Sequence, residues 1–213
     1  MKSPVLLCAG VAFLGMHTTA TATSTPCVVD ENHRVTYRGL ERNGIEVFLG
    51  IPYGQDTGGC NRFKPPKRLL HEPQTVIPAT TYGPSCPQPL GPWAPPITLG
   101  NITEISEDCL NLNVARPRDT RAESRLPVMV YIHGGSFWAS DNHDPNTLPD
   151  GMILESVRNG LPVIHVAMNY RLGCESPFNT HTGVQLGSLG WRVMLTLNSL
   201  RICTVQRPPV RGL

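Results

Sequence analysis

The stretch that decides the fold is "VMVYIHGGSFWAS", from Val128 to Ser140. Five apolar residues are followed by His133, two glycines and a serine, with an aromatic pair directly behind. An apolar run of this length indicates a buried strand. Gly134 and Gly135 permit either an ordinary turn or a backbone pocket whose N–H groups hold a negatively charged oxygen. Taken alone, the two glycines favour the ordinary turn.

After this strand the sequence predicts a helix and then a second buried strand. Asp150 to Asn159 ("DGMILESVRN") predicts a helix with an aspartate N-cap and with Gly160 just past its end. Leu161 to Tyr170 ("LPVIHVAMNY") predicts a second buried strand. A strand, a helix and a strand, with both strands unbroken in apolar residues, predict a parallel sheet covered on both faces. The fold class is therefore α/β.

Upstream of this unit the pattern changes to a hairpin. Asn43-Gly44 predicts a two-residue turn, because both central positions of a type I′ turn need a positive φ. Apolar residues alternate with polar ones on both sides of that turn, at Val35, Tyr37, Ile45, Val47 and Leu49. Gly58 to Pro96 is dense in glycine and proline and predicts a long surface loop. Cys109 to Pro117 predicts a short strand that stops at the proline.

Composition excludes several classes of protein. The chain has 213 residues, of which 40% are hydrophobic, and its net charge of +2 is too weak for a nucleic-acid-binding protein. Residues 1–22 have a charged start, an apolar run and small residues for cleavage, which predicts a secretory signal peptide, although a buried N-terminal helix is the alternative. No later run is long enough for a transmembrane helix. We expect a secreted, extracellular protein.

The cysteines fit an oxidising compartment. Removing the signal peptide leaves an even number, which predicts disulfides whose connectivity the spacing leaves open. They are Cys27, Cys60, Cys86, Cys109, Cys174 and Cys203. The sequence contains no C-x-x-C pair, so no zinc site or other metal site is expected. Asn101 heads an N-x-T triplet and is a candidate glycosylation site.

Four segments together resemble the type B carboxylesterase/lipase family, the branch of the α/β-hydrolases that includes the cholinesterases. They occur in the family's order between Val35 and Gly173. They are "FLGIPYG", "RFKPP" with "ATTYGPSCPQ", "SEDCLNLNVARP", and "VMVYIHGGSFWAS" followed by "NYRLG". The resemblance implies that residues 23–173 are the N-terminal part of the family domain, an α/β-hydrolase fragment with an N-terminal β-hairpin and part of a mostly parallel central sheet.

The resemblance also implies roles for residues of the glycine stretch. Backbone N–H groups of Gly135 and Ser136 would stabilise the oxyanion of an ester-hydrolysis intermediate. His133 and Gly134 would support that loop, and Trp138 would line the acyl side of the pocket. Two further pairs follow from the resemblance, namely a disulfide between Cys86 and Cys109 and an ion pair between Arg62 and Glu107. It implies an ester substrate in a full-length relative and no cofactor, and it leaves the oligomeric state open.

One feature of the family is missing from the sequence. No G-x-S-x-G nucleophile elbow occurs in the chain, and the acid and histidine of the triad lie later in the family, so no catalytic triad residue is assigned. His133, His143 and His165 cannot substitute by pattern, and His143-Asp144 without further ligands is weak evidence for a metal or a proton relay. We expect an inactive chain from a lineage of secreted ester hydrolases.

Other interpretations remain open at this point. A non-catalytic binding or adhesion domain and a truncated gene-model product without a function of its own both fit a missing elbow. Residues 174–213 carry arginine but no acidic residue or lysine after Glu175, which predicts a divergent tail, disordered or mis-spliced, with a real basic extension as the alternative. Without a further strand beside it, Val128 to Ile132 would present an open apolar edge that favours aggregation.

Overall fold

The computed structural model describes residues 25–90, 102 and 104–173. The predicted signal peptide at 1–22, the glycosylation site at Asn101, the tail at 174–213, and Cys174 and Cys203 lie outside the described residues. The strands and the helix, in chain order, are β1 (Cys27–Asp30), β2 (Val35–Arg38), β3 (Leu40–Arg42), β4 (Ile45–Pro52), β5 (Val76–Pro78), β6 (Asn111–Pro117), β7 (Val128–Ile132), α1 (Asp150–Arg158) and β8 (Ile164–Met168).

The strands form two sheets. A small sheet has the order β1-β2-β5, and a large sheet has the order β3-β4-β6-β8-β7. The pair β7–β8 is parallel, whereas β3–β4, β4–β6 and β6–β8 are antiparallel. The α/β fold class is confirmed, and the described part of the sheet contains the antiparallel strands at its start and one parallel pair joined through α1.

The hairpin prediction at Asn43-Gly44 is confirmed. Arg42 pairs with Ile45 across a two-residue turn, and Asn43 and Gly44 have φ values of 50° and 83°. The strict alternation expected for β4 is wrong, because all five residues from Ile45 to Leu49 are buried. The reason is that β4 lies between β3 and β6 inside the sheet and is covered on both faces.

The two strands predicted to be buried differ in the structure. All residues of β8 are buried, as predicted. In β7, Met129 is 42% exposed and Ile132 is 60% exposed, so this strand is not covered on both faces as its apolar sequence predicts. Among the described strands β7 pairs only with β8, which leaves its other edge open.

Helix α1 agrees with its prediction except at its first turn. Gly160 follows the helix with φ +70°, as expected for a residue past a helix end. The aspartate N-cap is wrong, because Pro149 occupies that position and makes no side-chain cap. Asp150 lies in the first turn, where its carboxylate accepts from Arg42 Nε and Nη2 at 2.9 and 2.6 Å. An ion pair between residues far apart in the sequence has therefore replaced the local cap.

Apolar side chains pack on both faces of the large sheet. One face carries the largest cluster, in which Phe48, Val114 and Val166 pack against Val35 and Tyr37 of the small sheet. The other face packs against Ile153 of α1. A third cluster surrounds the Cys86–Cys109 disulfide. The predicted loop from Gly58 is confirmed up to residue 90 apart from the short strand β5, which pairs with β2.

Candidate active site: the glycine loop

The glycine loop, defined here as His133 to Ser140, begins where β7 ends, at the carboxyl end of the parallel strand pair. In open α/β sheets ligands bind outside the carboxyl ends of the strands. The loop turns sharply, because Gly135, Ser136 and Phe137 have φ values of 95°, 55° and 60°. A run of positive φ values is rare for residues with side chains and marks a strained, specifically held backbone.

Gly135 cannot be replaced in this loop without a backbone change. A Cβ atom on Gly135 would lie 1.9 Å from the backbone oxygen of Ala139, whereas one on Gly134 would meet nothing within 4 Å. The backbone oxygen of Gly135 itself accepts from the N–H groups of Trp138 and Ala139 at 3.0 and 3.1 Å. The first glycine is thus sterically permissive, and the second is required by the turn.

The two candidate oxyanion donors have no other use in the described part of the chain. Within those residues neither the Gly135 N–H nor the Ser136 N–H donates a hydrogen bond. Ser136 is exposed and Gly135 is partly exposed. A backbone donor that is neither paired nor deeply buried is available to a ligand. The loop therefore presents two backbone donors, in adjacent residues, that are available to a ligand.

The His133 side chain hydrogen-bonds to the backbone of the glycine loop. The side chain is buried, and its Nδ1 lies 3.0 Å from the Gly134 carbonyl oxygen, to which it must donate because a carbonyl only accepts. Burial lowers the pKa of His133, which is opposed by the hydrogen bond to Gly134 and by the charge of Asp141. The imidazole is therefore neutral at pH 7, with its proton on Nδ1.

The aromatic pair of the loop faces outward. Phe137 and Trp138 are 52% and 54% exposed, and the Trp138 ring lies close to Gly173. The Gly173 N–H donates to the Phe137 oxygen at 2.7 Å. A cavity of about 400 Å³ lies elsewhere, between the two sheets, and no residue of the glycine loop lines it.

Side-chain amides hold the end of the glycine loop and the residues after it. Gln88 bonds to the N–H and the carbonyl of Ser140 at 2.8 and 3.1 Å. The Asn142 N–H donates to Asn169 Oδ1 at 2.8 Å, and the Asn142 side chain donates to Asn111. The sequence reasoning gave these residues no role. A signal was present, because asparagines at positions 111 and 113 alternate with apolar residues at the start of β6, and such buried amides need partners.

The disulfide and the ion pair implied by the resemblance are both present in the structure. Cys86 and Cys109 are bonded with a sequence separation of 23, and closing such a loop stabilises a fold by about 3 kcal/mol on the chain-entropy model. Arg62 donates to Glu107 through Nε at 2.6 Å and Nη2 at 2.7 Å. Because both side chains are partly exposed, the pair contributes little to stability. Cys27 and Cys60 are free and exposed.

Neither His143 nor His165 forms a site with the glycine loop. His165 is buried in β8, where burial lowers its pKa. His143 stacks on Tyr82 at 4.9 Å, and Asp144 accepts from Asn146 in a short turn, so the two do not act as a pair. No group of three metal-ligating side chains occurs in the described ranges. No helix there has the length and apolarity to cross a bilayer.

A glycine loop at the carboxyl end of a parallel strand pair, with an antiparallel start to the sheet, defines this chain as part of an α/β-hydrolase. A model of the carboxylesterase family matches residues 33–190. The chain belongs to the carboxylesterase family.

Similar proteins agree with this assignment. The chain is 53% identical over 156 residues to a secreted lipase of Arthroderma benhamiae, and 48% identical over 150 residues to an inactive carboxylesterase-like protein of Byssochlamys spectabilis. It covers 27% and 25% of those relatives, and they cover 73% and 70% of it. The crystal structure of Aspergillus niger EstA matches with a TM-score of 0.57 at 30% identity, over 71% of this chain and 26% of that one. The chain thus spans about a quarter of the length of these relatives.

Proposed function

We propose that this chain carries the oxyanion-binding part of a secreted serine carboxylic-ester hydrolase and does not hydrolyse esters by itself. The observation that carries the proposal is the glycine loop, in which the turn requires Gly135, and the N–H groups of Gly135 and Ser136 have no partner among the described residues. Donors fixed before the reaction stabilise the negative oxygen of a tetrahedral intermediate without reorganising.

The attacking group is the part that the sequence does not supply. Ester hydrolysis by this class needs a serine on a strained strand-to-helix turn of the form G-x-S-x-G, and no such pentapeptide occurs in the 213 residues. The Ser136 hydroxyl is not a substitute, because no histidine side chain is hydrogen-bonded to it in the described residues. The chain by itself therefore offers oxyanion binding without a nucleophile.

The relatives support the choice of ester chemistry and of export. One is named a secreted lipase, and the sequence of residues 1–22 has the pattern of a signal peptide. We therefore propose an extracellular location and an ester substrate for the complete catalytic unit. No cofactor is part of the proposed chemistry, because serine, histidine, an acid and backbone donors are sufficient for it.

A hybrid enzyme tests the role of the loop. Residues 1–173 of this chain would be joined to the remaining part of the Arthroderma lipase, and hydrolysis of p-nitrophenyl butyrate would be measured. We expect the hybrid to be active and Gly135→Ala to lower its kcat by about 10²-fold or more, because the added Cβ clashes with the Ala139 oxygen and displaces the N–H, and losing one oxyanion donor has an effect of this size. Gly151→Ala is the matched control, because a Cβ at Gly151 in α1 meets nothing within 4 Å. Full activity of the Gly135 variant would refute the proposal.

The 213-residue chain itself tests the predicted inactivity. We expect no turnover of the same ester above background and no covalent labelling by a fluorophosphonate probe, since the probe reacts with an activated serine. Either signal from the pure chain would contradict the proposal that it lacks a nucleophile.

A non-catalytic binding domain is the second candidate. It is favoured by the similarity to an inactive carboxylesterase-like protein together with the missing elbow. Sequencing the transcript beyond the codon for Gly173 separates the two candidates. A frame that encodes G-x-S-x-G supports the hydrolase, and an intact longer frame with that serine replaced supports the binding domain.

A further inference from the structure

The direction in which each candidate oxyanion donor points depends on the carbonyl group of the same peptide unit. In a planar trans peptide the C=O and N–H bonds point in opposite directions. The N–H of Gly135 therefore lies opposite the carbonyl of Gly134, and the N–H of Ser136 lies opposite the carbonyl of Gly135. A group that holds those carbonyls also aims the donors.

Three successive carbonyls at the start of the glycine loop are held by hydrogen bonds. The Gly135 oxygen accepts two backbone N–H groups of the loop itself, and the Gly134 oxygen accepts His133 Nδ1 at 3.0 Å. The His133 oxygen accepts from the Tyr170 hydroxyl at 2.8 Å, and the same hydroxyl lies 3.4 Å from the Gly134 oxygen. The N–H groups of Gly134, Gly135 and Ser136 therefore each point away from a carbonyl that is held in place.

Tyr170 differs from the other partners because it comes from a separate segment, directly after β8. Its ring stacks on the His133 imidazole with the centroids 4.3 Å apart, and Phe137 packs edge-on against it at 6.3 Å. The segment is itself tied to the loop through the bond from the Gly173 N–H to the Phe137 oxygen. Tyr170 and Gly173, which follow β8, thus donate hydrogen bonds to carbonyl oxygens of the glycine loop.

We propose that Tyr170 is a positioning residue for the oxyanion donors, acting through the carbonyls of His133 and Gly134. This inference rests on the proposed function of the loop. The Tyr170 hydroxyl bonds to the carbonyl side of the peptides, so Tyr170 is not itself a donor to the oxyanion. His133 assists it, because a neutral buried imidazole with its proton on Nδ1 fills the remaining position on the Gly134 oxygen.

Amide hydrogen exchange in the full 213-residue chain tests whether Tyr170 holds the loop. Tyr170→Phe keeps the ring stack and removes only the hydroxyl. We expect the protected amides of Trp138, Ala139 and Gly173 to exchange about fivefold faster in this variant, since this is the effect of losing one net hydrogen bond. Core amides of Val114 and Val166 serve as the internal reference and should not change.

Tyr53→Phe is the matched control for that experiment. Its hydroxyl also donates to a backbone oxygen, that of Asn169 at 2.6 Å, but makes no contact with the glycine loop. We expect loop exchange in Tyr53→Phe to equal that of the unmodified chain. Unchanged loop exchange in Tyr170→Phe overturns the inference. Equal acceleration of loop and core amides overturns it too, because Tyr170 would then be a general stabilising residue.

The hybrid enzyme tests whether the positioning serves catalysis. We expect Tyr170→Phe to lower kcat by about tenfold with KM unchanged, because the donors act in the transition state and not on bound substrate. Tyr53→Phe should keep the kcat of the hybrid. If Gly135→Ala lowers kcat as expected and Tyr170→Phe leaves kcat unchanged, this inference alone fails. If Gly135→Ala keeps full activity, the proposed function fails, and with it the catalytic meaning of Tyr170.

Discussion

β7 and β8 are neighbouring parallel strands of equal length with similar apolar sequences, yet they lie in different environments. Every residue of β8 is buried, whereas Met129 and Ile132 of β7 are 42% and 60% exposed. The difference comes from position in the sheet, because β8 pairs with β6 and β7, while β7 has one partner among the described strands. An apolar run therefore predicts a strand, and its neighbours decide how much of it is covered.

The largest expected change in stability comes from replacing a methionine of β8, and the matching methionine of β7 is the comparison. Met168 in β8 is 6% exposed, and Met129 in β7 is 42% exposed. We expect Met168→Ala to lower the free energy of unfolding by about 2–4 kcal/mol, because it removes buried methylene groups and leaves a cavity. Met129→Ala should cost less than about 1 kcal/mol, since much of its side chain already contacts solvent. Urea denaturation monitored by circular dichroism measures both.

The matched residue type makes this contrast informative. The substitution removes the same atoms in both strands, and both strands belong to the same parallel pair. Equal losses in the two variants would mean that the open side of β7 is covered in solution. The position of β7 at an edge would then be wrong.

Local signals in the sequence predicted the elements better than their surroundings. Asn43-Gly44 specified its turn because the required φ values are a property of the two residues themselves. The aspartate cap was wrong because a distant side chain, Arg42, binds Asp150 more effectively than the helix end does. Such a contact depends on how β3 and α1 pack, which no local pattern contains.

The candidate site shows the same division. The paired glycines indicated the loop, and the resemblance implied its proposed oxyanion chemistry and the Cys86–Cys109 disulfide. The hydrogen bonds from the Tyr170 hydroxyl to the loop were not predicted, because their acceptors are carbonyl oxygens 36 and 37 residues away in sequence. Backbone acceptors are the same at every position, so the sequence does not mark which of them a tyrosine will reach.

A smaller effect concerns pH, because the buried strand carries a titratable group. Burial lowers the pKa of His165 in the folded chain, while the unfolded chain has the ordinary value of about 6.5. The unfolded state therefore binds more protons just below that pH, and stability must fall as the pH falls through it. We expect the free energy of unfolding to decrease between about pH 7 and pH 5, and to decrease less steeply in His165→Gln.

The slope in pH is the quantity to compare, because the substitution itself also changes stability. Burial lowers the pKa of His133 as well, so part of the slope should remain in the variant. Parallel curves for the two proteins would show that His165 is not held neutral by burial. The β8 environment would then be wetter than its buried side chains indicate.

The smallest expected change in stability is at the open edge of β7. Met129→Lys places a charge on an exposed edge position, which is a common way for proteins to prevent strand-to-strand association. We expect the free energy of unfolding to change by no more than about 0.5 kcal/mol, while concentration-dependent self-association measured by light scattering decreases. Val157→Lys is the control, because Val157 is an equally exposed apolar residue on α1, away from any strand edge. If both variants reduce association equally, general surface charge is the cause. If only Met129→Lys reduces association, chains associate through the edge of β7 that has no partner among the described strands. Such an edge is what distinguishes β7 from β8.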